Sequence, residues 1–432
     1  MTKKQKRLLL GLMALIMIVL NSDANVMSPT LKLIETEFGI NDAAIGVMMG
    51  LFTIIGAVVS LLWGYYADKA SRKFLMVLSV GLGEIPCLLT AFAPNYPIFF
   101  LLRILTGIGI GAAFPLAFSI LGDIYDEKER PVASAILTTS FAFGKIIGTI
   151  AGGYLGDAFG WRLPFVVVAA PNIPLIIIFA LVVPEPKKGA SEEATKELVA
   201  QGVLYPKIIR LADYVKLAKI KTNVYLFIQG ILGTVPWGAI FFLNKFLNIN
   251  KGLTIAAATT IYMIFGIGMI LGILVGGKLG GVVFQKQPAL LPKFCSLTTA
   301  AGAVFTIAVV LFIPPDLIIL SLSGFLAAFL AAMTGPNMRT MLLDTNTPEN
   351  RGPIFSIFNL TDSLGEGLGK FVAGTLSVAL GLSASLSICS GFWFLCALVL
   401  WLAASIFPQD ITKLHAEMEA IAREMKDEGR AT

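Results

Sequence analysis

The sequence predicts an all-α membrane protein with twelve transmembrane helices, arranged as two similar six-helix halves. The prediction rests on composition, on a series of apolar runs, and on an internal repeat. The chain of 432 residues is 56% hydrophobic and 14% charged, with a mean hydropathy of +0.82, whereas soluble domains are about 25% charged. A water-soluble fold could not bury so many apolar side chains, but a bilayer accepts them on the outside of the protein.

Runs of roughly 20 apolar residues, the length that crosses a bilayer, recur along the whole chain. We count twelve of them, at about 8–36, 43–67, 74–94, 97–121, 132–156, 163–184, 222–244, 253–277, 290–313, 315–341, 353–378 and 382–407. The basic residues before the first run come without a cleavage site, so the first run is expected to be an anchor rather than a signal peptide.

The positions of Lys and Arg predict the orientation of the chain. They gather before the first span, in alternate loops and in the tail, whereas the loops on the opposite side contain only Arg162, Lys245 and Lys251. Because loops rich in Lys and Arg stay on the cytoplasmic side, both termini are expected to be cytoplasmic. The membrane is expected to be the plasma membrane. The net charge of +6 is then a topology signal, and no basic patch interleaved with aromatic residues indicates nucleic acid.

Two polar segments divide the chain into domains. Residues 185–221 separate an N-terminal six-helix bundle, 1–184, from a C-terminal bundle, 222–407. This cytoplasmic linker is either a helix lying on the membrane surface or a flexible connection. The tail, 408–432, has apolar residues at spacings of three and four, which indicates an amphipathic helix on the membrane or on the underside of the protein.

A helix–loop–helix unit occurs once in each half. Pro, Asp and Arg recur at the same two intervals in both copies, as Pro115, Asp123 and Arg130 and as Pro336, Asp344 and Arg351. A ladder of small residues follows each copy, namely Gly144, Gly148, Gly152 and Gly365, Gly369, Ala373. This two-fold repeat is typical of transporters built from two halves. Small residues permit close helix contact, and we expect the ladders to pack the halves against each other.

The loop between the second and third spans reads Gly64-Tyr-Tyr-Ala-Asp-Lys-Ala-Ser-Arg-Lys73. It resembles the Major Facilitator Superfamily signature G-x-x-x-D-(R/K)-x-G-(R/K)-(R/K), with Ser71 in place of the second glycine. The resemblance covers the whole chain and implies two six-helix halves around a central cavity. We expect the protein to be a monomer. The resemblance also implies that Gly64, Asp68 and Arg72 belong to a conformational latch and not to the substrate site.

Two further motifs resemble Spinster-like lipid transporters and organic anion:cation symporters of that superfamily. Residues 21–29, Asn-Ser-Asp-Ala-Asn-Val-Met-Ser-Pro, resemble N-Y-x-D-R-x-x-x-x-P; Asp23 matches the aspartate and Ala24 replaces the arginine. The stretch that begins at Arg103 resembles R-x-x-x-G-x-G-E, with Ile110 in place of the glutamate. The resemblance implies alternating access, with amphiphilic substrates such as lysolipids or sphingolipid-like molecules.

Charged residues inside the predicted spans are the candidates for a substrate or proton site, because each costs at least ~2.5–3.5 kcal/mol to insert. The main candidates are Asp23, Arg103, Lys145, Asp362 and Glu366, and the weaker ones are Glu84, Arg339 and Lys370. Asp362, Glu366 and Lys370 are spaced by four, which places them on one face of the eleventh span.

Each candidate also has a structural interpretation. Asp23 could make a helix-packing hydrogen bond, and Arg103 could extend to the membrane interface. Glu84 could belong to a structural pair, and Arg339 could anchor a loop. Glu366 and Lys370 could neutralise each other along one helix, with the ammonium reaching outward.

The sequence gives little support for a metal site, a histidine proton relay or a nucleotide-binding loop. The four cysteines form no CxxC pattern and the one histidine, His415, lies in the polar tail, so neither a metal site nor a histidine proton relay is expected. Two glycine-rich stretches lie inside predicted spans and follow no strand, which excludes nucleotide-binding loops. We expect no cofactor, no enzymatic activity, and transport driven by a gradient.

The sequence therefore predicts a proton-coupled secondary active transporter for an amphiphilic, lipid-like solute, with the solute, protons and membrane lipids as partners. A proton-driven symporter of a small organic anion or sugar acid is the alternative, with Arg103, Lys145 and Arg339 as anion ligands. A non-transporting membrane sensor or scaffold is an alternative of another class.

Overall fold

The computed structural model describes residues 3–67, 70–125, 129–183, 217–347 and 350–427, and these residues contain helices and no strand. The first half has α1 (Lys3–Asn25), α2 (Leu31–Phe38), α3 (Asp42–Ala67), α4 (Arg72–Thr90), α5 (Tyr96–Ile124), α6 (Arg130–Ile150), α7 (Gly156–Phe159), α8 (Arg162–Ala169) and α9 (Asn172–Val182). The second has α10 (Lys221–Ala239), α11 (Leu243–Ile249), α12 (Ile255–Lys286), α13 (Leu290–Leu311), α14 (Leu317–Ala332), α15 (Gly335–Thr345), α16 (Arg351–Leu380), α17 (Leu382–Ala403) and α18 (Phe407–Asp427).

The predicted membrane spans are confirmed. Among the described residues, 11 segments are long and apolar enough to cross a membrane, and they coincide with eleven of the twelve predicted runs. The remaining run is α16, a helix of 30 residues in which Asp362, Glu366 and Lys370 reduce the apolar character. The fold is therefore an all-α membrane protein with two pseudo-symmetric six-helix halves.

The chain divides into two compact units that do not coincide with the two halves of the sequence. The first unit comprises the described residues of Met1–Lys207 together with Phe241–Met263 and Lys370–Leu382. The second comprises those of Ile208–Ile240, Ile264–Gly369 and Ser383–Thr432. The first unit thus includes the end of the seventh span, the start of the eighth, and the end of the eleventh.

Several spans consist of two helices joined by an irregular turn. A 3-10 turn, Ser28–Thr30, separates α1 from α2, and a second 3-10 turn, Ile240–Phe242, separates α10 from α11. A π-helical turn, Ala151–Leu155, separates α6 from α7. Pro29 cannot donate a backbone hydrogen bond, which explains the first interruption. Ser28 Oγ donates to the carbonyl oxygen of Phe241 at 2.7 Å, so the first two turns are in contact.

The small-residue ladders pack within each half, which corrects the expectation that they join the halves. A Cβ atom at Gly144, Gly148 or Gly152 would overlap a carbonyl oxygen of α1 or of the turn after it, at Ile18, Ser22 and Val26 respectively. Gly365 and Gly369 meet carbonyl oxygens of α10 in the same way. Within the first unit, residues of the two sequence halves come into contact elsewhere, for example at Gly46 and Gly374, whose backbones touch.

The tail helix α18 is attached to the second unit at its start. Phe407 and Ile411 are buried in that unit's hydrophobic core, and Asp410 Oδ2 accepts hydrogen bonds of 2.9 Å from both the backbone nitrogen and the hydroxyl of Thr222. Burial raises the pKa of Asp410, but its hydrogen bonds from Thr222 and Lys413 outweigh burial and lower it. The predicted linker lies for the most part outside the described residues, which resume at 217.

The contact between α6 and α1 can be tested at Gly148. We expect Gly148→Ala to destabilise the protein by about 1–3 kcal/mol, because the added methyl group must displace the α1 backbone at Ser22. The measurement is the apparent melting temperature of the protein in detergent.

Gly11→Ala is the matched control, since Gly11 also lies in a helix and has no atom within 4 Å of its added Cβ. This control should leave stability unchanged or raise it slightly, because alanine favours helices. Equal melting temperatures for the two variants would contradict the close α1–α6 contact.

Candidate functional site

Three of the predicted site residues meet inside the first half. Asp23 lies near the end of α1, Glu84 in the middle of α4 and Arg103 in α5, and each is 1% exposed. Glu84 and Arg103 are the charged groups that act on the Asp23 carboxyl group, and Cys87 of α4 lies beside it. We name this group of side chains the α1–α4–α5 cluster. Two carboxyl groups and one guanidinium thus share a buried site among three helices.

Arg103 is held by hydroxyl groups and an aromatic ring. Its Nε and one terminal nitrogen donate to the Thr90 hydroxyl at 3.2 and 3.0 Å, and the same terminal nitrogen donates to the Thr106 hydroxyl at 3.1 Å. The guanidinium carbon lies 4.9 Å from the centre of the Phe165 ring, a cation–π distance. Arg103 therefore stays inside the protein rather than extending to the membrane interface.

Asn172 completes the α1–α4–α5 cluster, and the sequence analysis did not single it out. It is the first residue of α9 and is fully buried. Its Nδ2 donates to Glu84 Oε1 and to the carbonyl oxygen of Ile16, the latter at 3.2 Å. The available signal was an amide side chain between Pro171 and Pro174 in an otherwise apolar span.

A second polar group lies in the second unit, between α10, α15 and α16. Arg339 and Glu366 both act electrostatically on Asp362, and the Thr234 hydroxyl donates to the Asp362 carbonyl oxygen at 2.7 Å. Asp362 and Glu366 are half-buried and Arg339 is exposed. This placement agrees with the prediction that Asp362 and Glu366 share one helix face. Arg339 adds a positive charge to this polar group.

Lys370, one helical turn beyond Glu366, has its contacts in the first unit. Its Nζ donates to the Thr53 hydroxyl at 2.8 Å and lies 5.7 Å from the centre of the Phe241 ring. The Lys370 side chain thus contacts α3 and the turn after α10. Lys145, another of the main candidates, is exposed on α6.

The predicted latch is described only in part. Gly64 belongs to α3, and Arg72, the first residue of α4, is buried at 7% exposure. Asp68 lies outside the described residues. The role of these three residues stays a prediction.

A buried ion-pair cluster near the connection between the first and second spans was missed by the sequence analysis. Lys245 of α11 forms ion pairs with Glu35 of α2 and with Asp42, the latter at 2.6 Å. The Ser377 hydroxyl of α16 donates to the other oxygen of Asp42 at 2.6 Å. We name Lys245, Glu35, Asp42 and Ser377 the outer cluster; all four are at most 8% exposed and lie in the first unit.

Lys245 was interpreted only as a loop charge that marks orientation. The signal in the sequence is that it follows Ile240–Leu243 and precedes Phe246 and Leu247, so its stem lies in an apolar run. A lysine in such a run needs an anionic partner nearby, but its spacing does not say which carboxylate provides it.

Comparisons with known proteins agree with this architecture. The family model described as Major Facilitator Superfamily matches residues 13–310. The MFS-type transporter YceJ of Bacillus subtilis (strain 168) is 24% identical over 361 residues, covering 84% of this chain and 87% of that protein. The probable sulfoacetate transporter SauU of Cupriavidus necator is 28% identical over 348 residues, covering 74% of this chain and 77% of that protein.

A solved structure has a similar fold. The crystal structure of a bacterial homologue of the human lysosomal transporter Spinster, inward-facing and unoccupied, superposes with a TM-score of 0.84 at 21% identity. The superposition covers 95% of this chain and 99% of that one. The relation concerns the fold and agrees with the resemblance drawn from the Asp23 and Arg103 motifs.

The contribution of the outer cluster to stability can be tested at Lys245. Lys245→Met should destabilise the protein by about 3–5 kcal/mol, because it leaves two buried carboxylates without a cation. Lys6→Met is the control: the Lys6–Glu129 pair is 24% and 44% exposed, and such surface pairs contribute about 0–1 kcal/mol. Apparent melting temperatures of purified variants provide the measurement.

A rescue variant makes this test specific. Adding Glu35→Gln and Asp42→Asn to Lys245→Met removes the uncompensated charges and should recover part of the lost stability. A triple variant that is no more stable than Lys245→Met would show that the loss came from packing of the lysine stem and not from charge.

Proposed function

The chain belongs to the Major Facilitator Superfamily, and on that premise we propose that it is a proton-coupled secondary active transporter for an amphiphilic, lipid-like solute such as a lysolipid. It works by alternating access in the plasma membrane, as a monomer with both termini in the cytoplasm, and catalyses no chemical reaction. The α1–α4–α5 cluster is the observation on which the proposal chiefly rests.

The α1–α4–α5 cluster supports proton coupling through its charges. Two carboxyl groups and one guanidinium are buried together, and an unneutralised charge in this position is costly. Gain or loss of one proton changes the net charge of the cluster by one unit. The same change alters the electrostatic attraction between Asp23 and Arg103, and with it the relative stability of helix arrangements that bring α1 and α5 together.

The lipid-like substrate is supported by the residues that resemble Spinster-like transporters. Asp23 and Arg103 carry the two motifs of that resemblance, and in the folded chain they act on each other within one site. This interaction supports the proposal that the two motifs serve one functional site. Asp362, Glu366, Arg339 and Lys370 remain the candidates for substrate contacts in the second half, and Lys145 remains a candidate in the first.

The outer cluster provides one side of the alternating-access mechanism. Lys245 and Ser377, from the seventh and eleventh spans, bind carboxylates of α2 and α3. Opening the protein toward the side opposite to its termini requires Lys245 to separate from Glu35 and Asp42. The loop that contains Asp68 takes the corresponding role on the cytoplasmic side.

Proton-driven symport of a small organic anion or sugar acid is the second candidate. The relative named as a probable sulfoacetate transporter covers three quarters of both chains and favours it. In this case the cations singled out in the sequence, Arg103, Lys145 and Arg339, are the candidate anion ligands.

The proposal is tested by reconstituting the protein in liposomes and imposing a pH gradient. Uptake of a labelled lysolipid should exceed uptake of a labelled sugar acid and should increase with the gradient. Asp23→Asn and Glu366→Gln should each reduce the gradient-driven increase in uptake at least tenfold, because neither variant can exchange a proton at the substituted position. Asp157→Asn, which changes an exposed aspartate of α7, is the matched control and should transport normally.

Each other outcome identifies a different function. Gradient-driven flux of the sugar acid alone would favour the anion symporter. An absence of flux for both solutes, in folded protein, would favour a sensor or scaffold. If Asp23→Asn and Glu366→Gln both kept the full response to the gradient, the proton assignment would be lost.

A further inference from the structure

We infer that Asp23, Glu84 and Asn172 form a site for one shared proton, in which Glu84 carries the proton on Oε2 and donates it to Asp23. The role of this site in transport rests on the proposed proton coupling. The site itself is argued from the hydrogen bonds and charges of the α1–α4–α5 cluster, and its test requires no transport.

The orientation of the Asn172 amide is determined by two acceptors. Its Nδ2 faces both the carbonyl oxygen of Ile16 and Oε1 of Glu84. The reversed amide would place Oδ1 against the carbonyl oxygen of Ile16, where neither atom can donate. Asn172 is therefore the donor, and Glu84 Oε1 must be an acceptor. A proton on Oε1 would weaken this hydrogen bond, because the hydroxyl oxygen of a carboxylic acid is a poorer acceptor than its carbonyl oxygen, so Oε2 is the favoured position for the proton.

Three buried carboxyl oxygens of the α1–α4–α5 cluster have no protein donor among the described residues. They are Glu84 Oε2 and both carboxyl oxygens of Asp23. A buried acceptor without a partner costs about 1–3 kcal/mol, so three adjacent ones call for a physical explanation. A proton on Glu84 Oε2 provides one, because it turns that oxygen into a donor directed at the neighbouring Asp23.

The charges lead to the same conclusion. The charged and titratable groups that face this site are Asp23 from α1, Glu84 and Cys87 from α4, and Arg103 from α5. With both carboxyl groups ionised, the cluster has a net charge of minus one and two like charges side by side. With one proton it is neutral, as a buried site favours. Both carboxyl groups hold the proton, so it belongs to the pair.

Asn172 acts on the proton through Glu84 and is a positioning residue. It begins α9 directly after the interruption between α8 and α9, next to Pro171, so its backbone is held at a helix start. From there it connects α9 to α1 and α4. Because it occupies Oε1, it directs the proton toward the α1 side of the cluster, where Asp23 and Arg103 lie.

The inference is tested by infrared difference spectroscopy of the purified, full-length protein during a pH titration. A protonated carboxyl group that shares a proton with its neighbour should give one carbonyl stretching band, which disappears as the pH rises. Both Glu84→Gln and Asp23→Asn should lose this titration, whereas Asp157→Asn should keep it. Thermal melting of each variant establishes that it remains folded.

Asn172→Leu tests the placement on Oε2 and is independent of the two carboxyl variants. It removes the hydrogen bond to Oε1, the carbonyl oxygen of the protonated acid, so the band should move to higher frequency. An unmoved band would overturn the placement. An unchanged titration in either Glu84→Gln or Asp23→Asn, or no carboxylic acid band in the unsubstituted protein, would overturn the shared proton.

Failure of the proposed function would give a different pattern from failure of this inference. If lysolipid and sugar-acid flux were both absent while the band behaved as expected, the proton site would stand and the transport proposal would fail. If gradient-driven flux were present and Glu84→Gln retained both the flux and the band, the transporter would stand and the shared site would fail.

Discussion

The contact between α1 and α6 positions the chemistry of the first half. Gly148 leaves room for the α1 backbone at Ser22, and the Ser22 hydroxyl donates to the carbonyl oxygen of Gly144 at 3.0 Å. These two contacts fix the rotation of α1 about its axis. Successive residues of a helix point about 100° apart, so with Ser22 directed at α6, Asp23 is directed away from it, toward α4 and α5. The buried carboxyl group thus depends on a contact made by its neighbour.

Burial of charge is resolved differently in the two charged clusters of the first unit. In the outer cluster the ammonium of Lys245 lies between two carboxylates, and the Ser377 hydroxyl donates a hydrogen bond to the second of them, that of Asp42. In the α1–α4–α5 cluster the guanidinium binds hydroxyl groups of Thr90 and Thr106 instead of a carboxylate. Its positive charge acts on the carboxyl groups without a direct bond, so they retain unpaired oxygens that can hold a proton. The outer cluster therefore holds helices together, whereas the α1–α4–α5 cluster is chemically suited to bind and release a proton.

The sequence was sufficient for the spans and the repeat, because these follow from local apolar length and spacing. Its motifs singled out Asp23 and Arg103 as candidates but did not indicate that the two side chains meet in one site. The sequence was insufficient where the partner is chosen by tertiary packing. Lys370 has the spacing to pair with Glu366, but this spacing does not indicate that its ammonium donates to Thr53 of α3. Lys245 was counted as a loop charge, and its carboxylates lie some 200 positions earlier in the chain. Glu84 was expected to form a structural pair, and that interpretation gave no reason to consider Asn172.

The two halves repeat their helix packing without repeating their charges. Gly148 meets the carbonyl oxygen of Ser22 in α1, and Gly369 meets that of Val235 in α10. In the first half Ser22 is followed by Asp23, and in the second half Val235 is followed by Pro236. The same backbone contact therefore orients an acid in α1 and interrupts the hydrogen bonding of α10, close to the turn at Ile240–Phe242. Because Ser28 donates to Phe241 in that turn, the first span, which contains the acid, is in direct contact with the break in the seventh. In the proposed mechanism, a charge change at Asp23 and a movement at this break act on one continuous segment, α1 and the turn after it.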